Sequence, residues 1–312
     1  MKVIEFLERS NSTLLSYEII PPLRGGTAKK IFRLVEELMP YEPPFIDITS
    51  RSAEAYYEKM PDGTLRRRVR RKRPGTLGLS AAIKNRFNVE TVPHVLCRGF
   101  TREETEDALI ELNYLGIDNV LAITGDDTGR GSPGNEDSTV NRYAFDLVTQ
   151  IVDMNRGVYS EVLEDTHPTD FCIGVGGYPE KHRLSPDEET DIQYLKDKVD
   201  AGAHYIVTQM FFDNASFFPF VERCRKAGID VPIIPGLKIL TTRRHLRILP
   251  EIFHVQVPET LAGRVREAAP GEVKNIGMEW AIQQCQGLLD AKVPCIHFYI
   301  MQDAGAVTQI IS

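Results

Sequence analysis

Cysteine pairs are the first thing missing from this 312-residue sequence. Its five cysteines (Cys97, Cys172, Cys224, Cys285 and Cys295) are far apart, odd in number and without CxxC spacing. That excludes a disulfide scaffold and a zinc-finger signature, and it points to a reducing compartment. No apolar run approaches ~18 residues, so nothing reads as a membrane span. Charges at Lys2, Glu5, Glu8 and Arg9 break any secretion signal, and the cytoplasm is the expected location. There is no P-loop, no HExxH and no GxSxG, and Gly25-Gly26 falls short of a GxGxxG fingerprint. A surplus of basic charge is also missing: 37 Lys and Arg face 44 Asp and Glu, a net charge of −7. That balance argues against a general nucleic-acid binder.

What is present is a regular alternation. Leu14–Pro22 (LLSYEIIPP) reads as a strand stopped by its two prolines. Further strands are expected at Phe45–Thr49, Thr91–Cys97, Asn119–Ile123, Phe171–Val175, Tyr205–Gln209, Val231–Pro235 and Cys295–Tyr299. Helices are expected between them: Ala28–Met39, Leu77–Phe87, a helix from Thr101 to about Leu115, and one from near Tyr143 to about Met154. Asp187–Ala201, Phe217–Ala227, Thr241–Leu249, Pro258–Ala269 and Val273–Ala291 complete the set. Thr101 and Glu104 have the spacing of a capping box. Eight strands alternating with helices predict an α/β fold, a (β/α)8 TIM barrel. The expectation is one catalytic domain over 1–312 with a loop insertion at 54–73, and a doubly wound open sheet is the runner-up. Within that insertion Tyr56, Tyr57 and the Asp62-Gly63 turn suggest a hairpin. The basic run Arg66–Arg73 reads as a solvated or subunit-facing loop, with phosphate contact as the minority reading.

In such a barrel, catalysis sits where strands run into their following loops. Those ends carry Glu18, Thr49, His94, Asp126, Tyr178 with His182, Gln209 and Tyr299. Glu18 stands out because a free carboxylate in an apolar strand is costly unless paired or protonated. It is either one half of a buried ion pair or an acid with a raised pKa. His94, Asp126 and His182 could hold a metal, as in a lyase or hydrolase. No paired-histidine strand supports that reading, and no metal is expected. A phosphate- or nucleic-acid-binding protein built on the basic run is the third option.

Several segments, in this order, carry a resemblance: SYEIIPP (Ser16–Pro22), VPHVLC (Val92–Cys97), AITGD (Ala122–Asp126) and RYAFDLV (Arg142–Val148). VGGYPEKH (Val175–His182), KVDAGAHYIVTQMFFD (Lys198–Asp213), VPIIPGL (Val231–Leu237) and HFY (His297–Tyr299) follow. Together they resemble the methylenetetrahydrofolate reductase family, in its short bacterial form without the C-terminal regulatory domain of longer relatives. The resemblance implies non-covalent FAD, NADH or NADPH as co-substrate, and ping-pong reduction of 5,10-methylenetetrahydrofolate to 5-methyltetrahydrofolate for methionine synthesis. It implies that Glu18 is the general acid, helping to protonate folate N5 so that the ring opens to a 5-iminium ion. It makes Asp126 a flavin-edge and folate contact and Gln209 a folate contact. Thr49, His94, Gly125, Asp126, Tyr143, Ala144, Tyr178, His182, Asp191 and Lys198 are implied to hold FAD, with Lys198 suited to phosphate by charge. A homo-oligomer binding small molecules, not nucleic acid or membrane, is expected. Thr124 stands where many relatives have Arg. Leu249 stands where some relatives have a Phe that packs on nicotinamide.

Overall fold

A computed structural model describes residues 1–52, 54–70, 73–125, 139–269 and 271–312. Eight parallel strands close into a barrel. They are β1 (Leu14–Ile19), β2 (Phe45–Ile48), β5 (Glu90–Leu96), β6 (Asn119–Ile123), β7 (Cys172–Gly177), β8 (Tyr205–Met210), β9 (Ile233–Leu237) and β10 (Cys295–Met301). Each pairs with its neighbour in chain order, and β1 closes the ring by pairing with both β2 and β10. β3 (Glu54–Lys59) and β4 (Leu65–Arg70) stand outside the ring as the expected antiparallel hairpin.

Because side chains alternate along a strand, each strand sends every second residue into the barrel and the others toward the helices. Phe45, Val92, Leu121, Cys172, Tyr205, Ile234 and Cys295 form one apolar cluster. Val3 of α1 (Val3–Arg9), a helix the hydrophobic pattern does not announce, belongs to the same cluster. Its backbone N–H donates to the Asn119 side chain at 2.8 Å, which seats the helix at the strand starts. One alternation further along, the inward positions become polar: Ser16 and Glu18 on β1, Asp47 on β2, His94 on β5, His297 and Tyr299 on β10. Apolar packing therefore fills one end of the barrel and leaves the other for chemistry. The outward residues, such as Ile46, Ile48, Val120, Ile173 and Ile206, join the larger core beneath the helices.

Glycine makes room inside. A Cβ at Gly236 would collide with the Thr208 carbonyl and the Tyr299 ring. Its absence lets Tyr299 lie across β9 and donate its hydroxyl to Thr208 O at 2.6 Å.

The helices are α2 (Ala28–Leu38), α3 (Thr76–Phe87), α4 (Arg102–Tyr114), α5 (Ala144–Asn155), α6 (Glu188–Asp200), α7 (Asn214–Lys226), α8 (His245–Phe253), α9 (Glu259–Glu267), α10 (Val273–Asp290) and α11 (Val307–Ile311). The Thr101–Glu104 capping box forms as expected. Two helix starts differ from expectation by three residues or more. α7 begins at Asn214 because the Asp213 carboxylate caps it by accepting from Ala215 N. α8 begins only at His245, whose Nδ1 accepts from Thr241 N and holds the Thr241–Arg244 stretch in a turn. Among the described residues no helix is long and apolar enough to cross a membrane.

Candidate active site

Glu18 lies near the end of β1, opposite Asp47 on one side and Tyr299 on the other. It is 7% exposed and Asp47 is 1% exposed. Between the two carboxylates sits one imidazole nitrogen. His94 Nε2 is 3.6 Å from Glu18 Oε2 and 3.4 Å from Asp47 Oδ2, ion-pair distances rather than formed hydrogen bonds. Burial pushes the Glu18 carboxyl up to about 7, and the nearby Asp47 charge adds to the rise. His94, Lys238 and Arg51 pull it back. Lys238, just past β9, donates to the Tyr299 carbonyl at 2.6 Å. Burial lowers its ammonium to about 8, against the opposing pull of Glu18 and Asp303. A carboxyl that titrates near neutrality can both hold and release a proton at working pH, as a general acid must.

A second polar group lies at β7 and α6. Lys198, half-buried on α6, donates from Nζ to the Gly176 carbonyl at 2.7 Å. Burial lowers its ammonium to about 8, and Asp191 opposes that shift. Asp191 accepts from His182 N at 3.0 Å and from Ser185 Oγ at 2.6 Å, fixing the loop after β7. Tyr178 meets His182 edge to face, with ring centroids 4.5 Å apart. Burial is the main reason the His182 imidazole is pushed down, toward its neutral form. Gly125 closes β6 at φ +87°, a left-handed turn that glycine adopts without strain. Tyr143 and Ala144 mark the start of α5, with Tyr143 exposed and Ala144 buried.

These residues fit a flavin dinucleotide in two respects. An ammonium has three donors; Lys198 spends one on Gly176, leaving capacity suited to phosphate. Thr49, directly after β2, has a buried hydroxyl with no hydrogen-bond partner among the described residues, a polar atom in search of a ligand.

The expected residues thus fall into two sets. Glu18, Thr49, His94, Gln209 and Tyr299 gather at the ends of β1, β2, β5, β8 and β10. Tyr178, His182, Asp191 and Lys198 form the other set, and Gly125 ends the strand next to theirs. The Gln209 side-chain Oε1 is turned back to accept from Met210 N. Asp126 lies outside the described residues. Of the basic run, Arg71 and Lys72 also lie outside them, while Arg66, Arg67 and Arg68 are exposed on the hairpin. Arg68 pairs with Glu58 at 2.9 Å on the surface, and Arg73 donates to the Pro21 carbonyl. Leu249 is 3% exposed, packed in a small core with Met210, Phe212 and Leu240. Two residues at the site were not expected: Asp47 and Lys238. Asp47 carries the same signal as Glu18, a lone carboxylate in an apolar strand (FIDIT). Lys238 is the corresponding cation at the end of VPIIPGL.

Comparison with known proteins finds relatives across the whole chain. The family model described as "Methylenetetrahydrofolate reductase" matches residues 3–312. A curated relative from Schizosaccharomyces pombe, methylenetetrahydrofolate reductase 1, is 31% identical over 95% of this chain and 45% of its own length. The 5,10-methylenetetrahydrofolate reductase of Escherichia coli is 28% identical over 93% of this chain and 86% of its own. The chain therefore spans about half the length of the eukaryotic relatives it matches. Among solved structures, an uncharacterized protein from Clostridium thermocellum that binds two copies of 5-methyl-5,6,7,8-tetrahydrofolic acid superposes with a TM-score of 0.60. It is 12% identical, covering 100% of this chain and 96% of that one, a likeness of fold.

Proposed function

The chain belongs to the methylenetetrahydrofolate reductase family, and from that premise we propose that it reduces 5,10-methylenetetrahydrofolate to 5-methyltetrahydrofolate. NADH or NADPH is the source of hydride, and bound FAD would supply the carrier between the two substrates in a ping-pong sequence. Thr49, His94, Gly125, Tyr143, Ala144, Tyr178, His182, Asp191 and Lys198 are assigned to hold it, with Lys198 at the phosphates. Asp126 and Gln209 are assigned to the folate. The whole chain acts as one catalytic barrel, with the β3–β4 hairpin as an excursion from it.

Glu18 is the acid. The methylene carbon of the substrate bridges N5 and N10. An iminium at N5 forms only when the bond from that carbon to N10 breaks, with its electron pair left on N10. The proton that Glu18 gives, expected above at N5, must therefore finish on N10. Hydride then adds to the methylene carbon and leaves a methyl group on N5. The Glu18 carboxyl, buried near the end of β1 beside Asp47, Tyr299 and His94, is the observation that carries this reading.

The test is direct. The purified protein is expected to be yellow, and denaturation is expected to release the flavin. Under anaerobic conditions a reduced nicotinamide bleaches it, and methylenetetrahydrofolate restores the colour. A colourless protein that gains activity only with a divalent metal overturns the proposal.

A further inference from the structure

Asp47 is the least comfortable group in the barrel. Its carboxylate is 1% exposed, and neither oxygen has a hydrogen-bond partner among the described residues. A buried charge without donors is costly, and a fold keeps one only where something offsets it. The nearest cationic candidate is His94, whose Nε2 faces Asp47 at 3.4 Å and Glu18 at 3.6 Å. A single proton on that nitrogen can serve one carboxylate at a time. The other titratable groups around Asp47 are poor alternatives. Tyr205 on β8 and Tyr299 on β10 are held protonated by burial, as is the Cys295 thiol, pushed to about 12. His297 on β10 is pushed toward neutral, and its Nδ1 is engaged with Ser16 Oγ at 2.8 Å. Lys238 just past β9 and Arg51 after β2 act on Glu18 as positive charges, and Lys238 is bonded to the Tyr299 carbonyl.

We propose that Asp47 is a positioning residue for proton resupply: it orients and charges His94, which returns a proton to Glu18 after each delivery to folate. This rests on the proposed function. The balance is simple. Glu18 gives its proton to the substrate and becomes a carboxylate. The Nε2 proton of the His94 imidazolium moves to Glu18 Oε2, leaving His94 neutral. His94 then regains a proton from solvent water; Asp47 takes no part in the transfer, and its negative charge favours the imidazolium.

The test compares the flavin-loaded parent with Asp47→Asn, which keeps shape and removes charge. Histidine ring nitrogens are followed by NMR across pH, with His94 assigned by its loss in His94→Gln. An opposite charge within ~4–6 Å shifts a titration by about 1–3 units, so the His94 midpoint is expected to fall by about one unit or more in Asp47→Asn. The alkaline limb of the folate half-reaction is expected to move to lower pH by about one unit, with about a fivefold loss of rate at pH 7. The nicotinamide half-reaction is the reference for both. If the His94 midpoint and the alkaline limb both stay in place, Asp47 is merely structural and the inference falls. Asp47→Ser, small and neutral, replaces the amide variant if that variant does not fold, with the same two outcomes. A parent protein that reduces no folate would overturn the proposed function, while the NMR titration would still decide whether Asp47 charges His94.

Discussion

Glu18 and Lys198 sit in two regions of one barrel mouth and suffer the same insult with opposite results. Both are withdrawn from water, and burial is the largest cause of each shift. The carboxyl is driven up to about 7 and the ammonium down to about 8. Desolvation disfavours whichever form is charged. Near pH 7 this leaves the carboxyl able to part with a proton, while the ammonium remains mostly charged. The neighbours reinforce the split. Glu18 has a second carboxylate, Asp47, in register beside it. Lys198 has Asp191 to support its charge and a carbonyl to receive one hydrogen bond. One region is built to lose a proton and regain it, the other to keep a charge for an anion.

The largest effect should come from disabling one region while sparing the other. Glu18→Gln keeps the shape and removes the acid. Losing a general acid typically costs 10²–10⁴-fold, and the folate half-reaction should fall by about that much. Reduction of the bound flavin by nicotinamide should persist, since that hydride transfer requires no proton on folate. Stopped-flow measurement of both half-reactions checks this, and equal loss of both would make Glu18 structural. Lys198→Ala should act the other way, on flavin retention. A charged hydrogen bond is worth about 1.5–3 kcal/mol, so FAD affinity should weaken by about 10–100-fold. Equilibrium dialysis against FAD measures it, and unchanged affinity removes Lys198 from the phosphate site.

Stability without flavin should show the same opposition in pH. The Glu18 pKa is raised on folding, from 4.5 to about 7. Its unfavourable contribution is absent below about 4.5, grows as pH rises and is complete above about 7, where it reaches about 3 kcal/mol. Glu18→Gln should therefore raise the melting temperature by several degrees at pH 8 and hardly at pH 4.5. The Lys198 pKa is lowered on folding, from 10.5 to about 8. Its contribution is complete below about 8 and vanishes above about 10.5, so Lys198→Met should stabilise at pH 7 and lose that advantage as pH approaches 10.5. The lysine keeps partial contact with solvent, which screens it, so about 2 kcal/mol is the scale expected. Calorimetry of flavin-stripped protein gives the signs, and a melting-temperature gain that follows the same pH trend in both variants would break the comparison.

The barrel was legible because its strands are apolar on both faces and its helices begin and end at recognisable caps and glycines. α1 escaped because seven residues with only Val3 buried leave little periodicity to read. Glu18 was legible as a charge in an apolar run. By that criterion Asp47 was equally legible, yet FIDIT gives no hint that its carboxylate would face His94 from the adjacent strand. That contact depends on closure of the ring and on the register that sets Ile48 beside Pro93, one residue before His94. Lys238 was hidden for a related reason. A lysine just past a strand ordinarily reaches solvent, and only the Tyr299 carbonyl on β10 shows where this one goes. The two polar sets owe their membership to sequence motifs, but their separation is a product of the barrel order.

The smallest expected effect is the sharpest, because it concerns how finely the acid region is balanced. Lys238 lowers the Glu18 pKa while Asp47 raises it. Replacing Lys238 with Met keeps the length of the chain and removes the charge. The Glu18 carboxylate then has less support, so its titration should move above about 7, in the direction opposite to Asp47→Asn. Lys238 ranks behind burial, His94 and Asp47 among the influences on Glu18, so the shift should stay below about one unit. At pH 7 the folate half-reaction should gain less than about twofold, because at least half of the acid is already protonated there. The gain should widen on the alkaline side, where the parent has lost its proton and the variant has kept part of it. A pH profile of that half-reaction from pH 6 to 9 tests this. An alkaline limb that moves down would mean that Lys238 serves the acid mainly by holding the Tyr299 carbonyl and the wall of the cavity in place, and that its charge is incidental to the proton.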